Sequence, residues 1–174
     1  LLPMYLIYDT ETTGLPKNYN APLSDADNWP RCVQIAWQLH SAEGKLLDAQ
    51  NHIVIPEGFE IPYNAEKVHG ISTERALKEG KPLDEVLNAF KYVLENTEVV
   101  VGHNIEFDIN IMGAEMLRKG FSEKELVAKK IIDTKTEGTD FCAIPGGRGG
   151  KFKWPTLTEL HTKLFGKGFG DAHD

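Results

Sequence analysis

An alternation of apolar and polar residues between positions 33 and 40 constrains the fold more than any other feature of this chain. Successive side chains of a β-strand point to opposite faces, so a period of two indicates a strand with one buried face. The apolar members of the run are Val33, Ile35, Trp37 and Leu39. One buried and one polar face are typical of antiparallel sheets, and we predict an antiparallel sheet around this segment.

Two neighbouring segments complete the predicted antiparallel sheet. Residues 4–8 are a short apolar run that predicts a buried first strand. Residues 42–45 predict a turn, and residues 46–55 are predicted to return as a third strand. The chain is therefore expected to open with a three-stranded antiparallel meander.

Helical patterns follow the meander. Residues 64–68 and residues 72–79 are each predicted to form a short helical turn. Pro82 is predicted to be the first residue of a longer helix, because proline is favoured at that position. The apolar side chains on one face of this helix are Val86, Leu87, Phe90, Val93 and Leu94.

The last third of the chain is predicted to add β-α-β units. Residues 99–101 form a short, wholly apolar strand suited to the centre of a sheet, and a helix is predicted over about residues 105–119. Residues 131–132 predict a fifth strand, and residues 136–154 an irregular, glycine-rich segment. A capping box at Thr156-x-x-Glu159 begins a last helix. We therefore predict an α/β fold, a mixed sheet with helices packed on it.

Length and composition narrow the class of protein. A chain of 174 residues fits one domain, and its 41% hydrophobic content is ordinary for a soluble globular protein. No apolar stretch approaches the ~20 residues needed to cross a bilayer, and no signal-peptide pattern is present. Cys32 and Cys142 belong to no C-x-x-C pair, and two isolated thiols favour a cytoplasmic location with no membrane partner.

The net charge of −7 taken alone argues against a polyanionic partner. Its distribution weakens that argument, because residues 145–168 contain five cations and one anion, a net charge of +4. Acidic residues clustered around a metal ion are also neutralised when the ion binds. A nucleic acid therefore stays compatible with the charge of the chain.

Asp9 and Glu11 are the first candidate functional residues. They lie two positions apart near the end of a predicted strand, so both side chains leave the same face. Two carboxylates on one face repel each other, and a divalent cation, which prefers oxygen ligands, relieves that repulsion. A solvated strand end is the alternative interpretation, since an Asp-x-Glu pattern occurs often by chance.

Asp108 and His173 extend the candidate site. Asp108 follows the strand at residues 99–101, and it would reach the carboxylates of the first strand if the first and fourth strands are neighbours. The alternative explanation for Asp108 is a favourable position at the positive end of its helix dipole. His173 is a candidate general base near neutral pH, although a histidine in such a position is more often an exposed bystander.

Four short motifs occur in a fixed order along nearly the whole chain. They are Asp9-Thr10-Glu11-Thr12-Thr13-Gly14, His69-Gly70-Ile71-Ser72, Asn104-x-x-Phe107-Asp108 and Asp171-Ala172-His173-Asp174. Together they resemble the motifs of DnaQ-like (DEDDh) 3′→5′ exonucleases, a family that includes the proofreading epsilon subunit of bacterial DNA polymerase III. The resemblance implies a ribonuclease H-like fold, in which a mixed five-stranded sheet is flanked by helices.

The same resemblance implies an activity and its cofactors. Asp9, Glu11 and Asp108 would ligate two Mg²⁺ or Mn²⁺ ions, and His173 would deprotonate the attacking water. The substrate would be a single-stranded 3′ end of DNA, favoured over RNA, and the products would be nucleoside 5′-monophosphates. DNA replication proofreading or repair would be its role, with a DNA polymerase subunit as a candidate partner.

The resemblance also implies substrate contacts and one further ligand. The implied contacts are Thr10, Thr12, His69, Asn104 and Phe107. The family's last carboxylate is an Asp five positions after the histidine, which corresponds to position 178. Residues 1–174 are therefore expected to be a single exonuclease domain, truncated before the end of its third motif.

Three functions stay open at the level of sequence. The first is an active exonuclease, acting on DNA or, as an alternative, trimming RNA. The second is a catalytically silent nucleic-acid-binding module of the same fold, which the retention of Asp9, Glu11 and Asp108 disfavours. The third is a metal-dependent enzyme that acts on another phosphate ester, against which the 3′-end motifs argue.

Residues 146–154 form a basic, glycine-rich loop that includes Phe152 and Trp154. Such a loop could hold phosphate and stack bases, and a solvated loop without a ligand is an equally good prediction. Asp133, at the end of the fifth strand, is predicted to cap a helix rather than to bind a metal ion.

Overall fold

The computed structural model describes residues 2–170. Within that range the chain forms a five-stranded sheet. Its strands are β1 (Tyr5–Thr12), β2 (Cys32–His40), β3 (Leu46–Ile53), β4 (Val99–Gly102) and β5 (Lys130–Asp133). Their order across the sheet is β3-β2-β1-β4-β5.

The pairing of the strands confirms the mixed sheet expected from the sequence. β1 is antiparallel to β2, and β2 is antiparallel to β3, so the predicted meander is present. β1 is also parallel to β4, which is parallel to β5. Ile7 is the last residue of β1 that pairs with β4, opposite Val101. The later residues of β1 therefore extend past the end of β4, and this is where the candidate site lies.

Helices cover the sheet and connect its strands. They are α1 (Tyr63–His69), α2 (Thr73–Glu79), α3 (Leu83–Glu95), α4 (Ile105–Arg118), α5 (Lys124–Ala128), α6 (Thr134–Cys142) and α7 (Leu157–Phe165), and a short 3₁₀ turn spans Arg148–Gly150. Among the described residues, no helix is both long and apolar enough to cross a bilayer.

The structure corrects the prediction that residues 136–154 are irregular throughout, because α6 occupies their first part. The side chain of Asp133 accepts a hydrogen bond from the backbone N–H of Lys135 and so caps α6, as predicted. Gly138 lets α6 approach α7, since a Cβ at this position would lie 3.1 Å from a methyl carbon of Leu160. The buried face of α6 is small, and its apolar periodicity is correspondingly weak in the sequence.

Smaller differences concern the ends of two elements. β3 ends at Ile53, and Val54 leaves the strand to form an isolated parallel bridge with Lys81. Pro82 is the N-cap of α3 rather than its first residue. Its extended backbone, with ψ at 140°, shows that the helical conformation begins one residue later.

The main hydrophobic core lies between the sheet and the helices α3 and α4. Leu6 and Tyr8 of β1 belong to this core, and the Tyr8 ring meets Phe90 of α3 edge to face at 5.3 Å. Ile7 and Asp9 alternate with them and are exposed on the opposite face. Packing of α4 against β1 places its first turn beside the end of that strand.

Candidate active site

Asp9 and Glu11 lie where β1 has passed the end of β4. Asp9 is exposed and Glu11 is half-buried, while Thr10 between them is buried. This alternation confirms that the two carboxylates share one face of the strand. The pairing of β1 with β2 shifts register between Glu11 and Thr12, so the strand becomes irregular immediately after the second acid.

Asp108 lies in the first turn of α4 and is held against β1 by Thr10. One of its carboxylate oxygens, Oδ1, accepts hydrogen bonds from the Thr10 backbone N–H at 3.0 Å and from the Thr10 hydroxyl at 2.6 Å. Because β4 has already ended, the Thr10 N–H has no strand partner on that side. The Asp108 carboxylate therefore accepts the hydrogen bond that a carbonyl of a neighbouring strand would otherwise accept. This contact holds a residue of α4 against the end of β1.

The electrostatic environment of Asp108 is unfavourable for a carboxylate. Its side chain is 3% exposed. Burial, followed by the negative charge of Asp9, raises the pKa of Asp108 well above its ordinary value, and the hydrogen bonds from Thr10 only partly oppose this shift. A divalent cation beside Asp9 and Asp108 would reverse the penalty, because it favours ionised oxygen ligands. The chemistry of these acids thus fits a hard metal ion.

Asp9, Glu11 and Asp108 do not by themselves complete a metal site. Among residues 2–170, no group of three or more His, Cys, Asp and Glu side chains is arranged to hold a metal ion. The fourth predicted site residue, His173, lies outside the described residues.

A cavity of about 390 Å³ adjoins Glu11. It is bounded by the end of β1 and the loop that follows, by α1, and by the first turn of α4. Four of the five predicted substrate contacts line it together with Glu11: Thr10, Thr12, His69 and Phe107. Its volume lies within the range of about 300–1,000 Å³ that is typical of small-molecule sites.

His69 is fixed at the wall of this cavity by hydrogen bonds on both ring nitrogens. The backbone N–H of Ile71 donates to Nδ1 at 3.1 Å, which leaves the ring proton on Nε2. Nε2 lies 3.2 Å from the carbonyl oxygen of Thr12 and donates to it. His69 ends α1, and Gly70 follows with φ at 76°, a left-handed conformation that glycine adopts easily. The histidine thus links α1 to the loop after β1.

Thr12, Phe107 and Thr10 differ in whether their side chains already have hydrogen-bond partners within the protein. The Thr12 hydroxyl donates to the carbonyl of Gly14 at 2.8 Å, which shapes the loop at the cavity wall. Phe107 is half-buried and lines the cavity. The Thr10 hydroxyl donates to Asp108, so within the described structure its role is to position that carboxylate.

Asn104 is the one predicted contact that is not among the residues lining this cavity. It precedes the helix in a left-handed conformation, with φ at 62° and ψ at 43°. Its backbone N–H donates to Asp133 at 2.9 Å, and its side-chain oxygen accepts a hydrogen bond from Lys135 at 2.9 Å. Asn104 therefore joins α4 to the start of α6.

Two features near the site were missed from the sequence. His103 lines a second cavity, of about 570 Å³, together with Asp9. Its ring nitrogens contact the Thr134 hydroxyl at 3.0 Å and the Pro155 carbonyl at 2.8 Å. Neither contact leaves a local pattern in the sequence, because the partners are 31 and 52 positions away.

The second missed feature is a buried ionic network behind the cavity. Glu115 of α4 is 1% exposed and contacts both Arg31 and Arg118. Arg31 uses two guanidinium nitrogens on the two carboxylate oxygens, at 2.7 and 3.3 Å. The backbone of Arg31 also binds Thr13. The Arg31 backbone N–H donates to the Thr13 hydroxyl at 3.0 Å, and the Arg31 carbonyl accepts from the Thr13 backbone N–H at 3.0 Å. The network therefore anchors the loop that forms the cavity wall.

The fold and the sequence agree with a known class of nuclease. The sequence profile of the RNase_T exonuclease family matches residues 6–174. The chain belongs to this family of exonucleases, which are of the DnaQ-like type. A nuclease hydrolase is therefore the class of protein that the family defines.

Two of the relatives that match this chain carry the name DNA polymerase III. The chain is 31% identical over 145 residues to the DNA polymerase III subunit epsilon of Rickettsia prowazekii, a match that covers 82% of this chain and 57% of that protein. It is 27% identical over 168 residues to the PolC-type DNA polymerase III of Pediococcus pentosaceus, covering 97% of this chain and 10% of the polymerase. The chain thus spans little more than half of one relative and a tenth of the other.

Solved structures confirm the ribonuclease H-like fold. E. coli exonuclease I in complex with a dA16 oligonucleotide superposes with a TM-score of 0.76 at 17% identity, covering 99% of this chain and 37% of that one. A zinc-bound complex of the same exonuclease with single-stranded DNA gives a TM-score of 0.75 at 17% identity, with the same coverage.

Proposed function

We propose that this domain is a 3′→5′ exonuclease that hydrolyses phosphodiester bonds with the help of two Mg²⁺ or Mn²⁺ ions. One observation carries the proposal. Thr10 holds the buried carboxylate of Asp108 against the end of β1, next to Asp9, and a cavity of about 390 Å³ opens beside Glu11. Acids suited to divalent cations and a cavity of small-molecule size are thereby combined at one place in an exonuclease fold.

Each acid would have a role as a metal ligand. Asp9, Glu11 and Asp108 would hold the ions. When bound, such ions activate water and stabilise the leaving 3′-oxygen. His173 would accept the proton of the attacking water. The ring of Phe107 and the wall formed by Thr12 and His69 would hold the terminal nucleotide, whose 5′-phosphate leaves with it as a nucleoside 5′-monophosphate.

We propose single-stranded DNA as the substrate and replication proofreading or repair in the cytoplasm as the setting. The names of the relatives support this choice, since one is a DNA polymerase III subunit and another a DNA polymerase. E. coli exonuclease I, which shares the fold, is described in complex with a DNA oligonucleotide. A DNA polymerase subunit is accordingly the proposed partner.

The test is a 5′-labelled single-stranded oligonucleotide incubated with the full-length protein and Mg²⁺ or Mn²⁺. We expect a ladder of products shortened from the 3′ end, and we expect EDTA to abolish it. Asp9→Ala should lower the rate by at least about a thousandfold, because loss of a metal ligand removes transition-state stabilisation of several kcal/mol.

A matched control distinguishes the loss of a site carboxylate from the loss of a surface carboxylate. Asp140→Ala removes an exposed carboxylate on α6 and should leave the rate unchanged. Parallel DNA and RNA oligonucleotides identify the preferred sugar. Shortening from the 5′ end, or a full rate for Asp9→Ala, contradicts the proposal.

A further inference from the structure

Trp154 differs from the other tryptophans of the described structure because it is displayed at the surface. Its side chain is 65% exposed, whereas Trp29 and Trp37 are 3% and 2% exposed. The Nζ atom of Lys135 lies 4.0 Å from the centroid of the Trp154 ring, a cation–π contact. A large aromatic ring and a cation are thus presented together to solvent.

The loop that precedes Trp154 is ordered by contacts of its own backbone. The N–H of Lys153 donates to the carbonyl of Ile144 at 2.9 Å and closes the base of the loop. Gly147 packs directly on the opposite side of the loop, because a Cβ there would lie 2.4 Å from the carbonyl oxygen of Phe152. Pro155, immediately after the tryptophan, is bound through its carbonyl by His103.

These contacts favour the first interpretation of residues 146–154, a loop that holds phosphate and stacks bases. Hydrogen bonds fix the backbone immediately before Trp154, at Lys153, and immediately after it, at Pro155. Trp154 is thus held in position, and a pre-positioned side chain loses little conformational entropy on binding.

The position of Trp154 relative to the carboxylates follows from the sheet order. Lys135 also donates to Asn104, which directly precedes α4, and the first turn of that helix carries Asp108. Along the end of the sheet, β1 with its acids is followed by β4 and then by β5, at about 4.8 Å per strand. Lys135 and Trp154 therefore lie on the β5 side of the acids.

The cavity at His69 lies on the other side. Ala65 of α1 packs in a hydrophobic cluster with Val33 of β2, so α1 covers the β2 side of β1. A strand whose last nucleotide occupies that cavity, and whose scissile phosphate lies at Asp9 and Asp108, would continue past Asn104 towards Trp154. The net charge of +4 over residues 145–168 favours a phosphate backbone along this path.

We propose that Trp154 and Lys135 bind the strand upstream of the scissile phosphate: a base stacks on the indole ring, and the ammonium group attracts a neighbouring phosphate. This inference rests on the proposed function for the location of the 3′ end. It assigns a second, separate site of contact to the nucleotides that are not removed in the current step.

Binding without metal ions tests the proposal independently of catalysis. The affinity of the full-length protein for a 5′-fluorescein oligothymidylate is measured by fluorescence anisotropy in EDTA, with an octanucleotide and a dinucleotide. Trp154→Ala should weaken octanucleotide binding roughly tenfold, because stacking on an aromatic ring is lost, and should leave dinucleotide binding within about twofold. Trp154→Phe, which keeps an aromatic ring, should retain most of the affinity and controls for misfolding.

Two further variants sharpen the test. Tyr92→Ala removes an aromatic side chain of α3 that is 71% exposed, and it should leave both affinities unchanged. Lys135→Ala should reduce the dependence of the affinity on salt by about one phosphate contact. The octanucleotide should also quench the tryptophan fluorescence of the wild type and not that of Trp154→Phe.

Equal octanucleotide affinity for Trp154→Ala and the wild type overturns the proposal, and so does an equal loss for both lengths. A protein that binds in this length-dependent way but does not shorten DNA in Mg²⁺ would retain the upstream contact and lose the proposed function. A protein that shortens DNA from the 3′ end but shows no length-dependent loss would retain the proposed function and lose the upstream contact.

Discussion

Asp108 shows how a single residue can serve a site at a cost to the fold. Its carboxylate is buried beside Asp9, and burial and that negative charge raise its pKa. The folded state therefore holds the Asp108 proton more tightly than the unfolded chain does. As pH rises from the ordinary Asp pKa of about 4 through the raised value, the folded state loses stability relative to the unfolded state. The penalty for the metal-free protein is complete once the pH exceeds the raised pKa of Asp108.

We expect Asp108→Asn to stabilise the metal-free protein and to abolish nuclease activity. The asparagine oxygen can still accept both hydrogen bonds from Thr10, while the buried charge is removed. In EDTA at neutral pH, the melting temperature should rise by about 2 °C or more, since 1 kcal/mol corresponds to roughly 2–4 °C in a domain of this size. The difference from the wild type should shrink near pH 4. Asp140→Asn, on an exposed part of α6, is the control, and a lower melting temperature for Asp108→Asn would refute this account.

At the scale of elements, α4 organises the site from two of its turns. Its first turn supplies Phe107 and Asp108, and its third turn supplies Glu115, which binds Arg31 and so anchors the loop after β1. Phe59 lies under the Arg31 guanidinium group, 4.5 Å from its carbon to the ring centroid, and adds to the anchor. One helix thus sets both the acid and the wall of the neighbouring cavity.

Removal of Glu115 should destabilise the domain strongly. Glu115→Ala leaves Arg31 and Arg118 facing each other without their shared carboxylate, and breaking a buried ion pair from one side costs about 3–5 kcal/mol. Chemical denaturation measures the loss of unfolding free energy. The exposed pair of Arg75 and Glu79 provides the control, since Glu79→Ala should cost less than about 1 kcal/mol. Similar losses for the two variants would show that the network contributes no more than a surface pair.

At the scale of the whole molecule, the net charge of −7 and the proposed substrate appear to conflict only when charge is averaged over the chain. Acidic residues at the end of β1 would face metal ions, and the basic segment at residues 145–168 would face the phosphate backbone. A metal ion that binds only the folded state also stabilises it by mass action.

Addition of Mg²⁺ or Mn²⁺ to the full-length protein should therefore raise its melting temperature. At a free concentration one hundred times the dissociation constant, binding contributes about 2.7 kcal/mol. Asp9→Asn, which removes one ligand, should show a smaller rise. Sodium chloride at the same ionic strength is the control for general screening, and an equal rise with sodium chloride would argue against a specific site.

Much of this architecture could be predicted because its signals are local. The period of two in β2, the apolar strand β4 and the capping box of α7 each arise from residues within a few positions of one another. The helix α6 was missed because it is short and buries little apolar surface, so it has almost no periodic signal. Its cap at Asp133 was predicted, and the cap was the better guide to where it begins.

The sequence determines which residue types are available at the site, and the tertiary structure determines which of them contact one another. The sequence by itself determined the strand with Asp9 and Glu11 on one face, the later acid Asp108 and the resemblance to a family, because these depend on spacing along the chain. Only the tertiary structure decided that Thr10 binds Asp108 across 98 positions and that Lys135 lies over Trp154. Such contacts depend on which strands are neighbours and where each one ends, and neither property is encoded in any short segment.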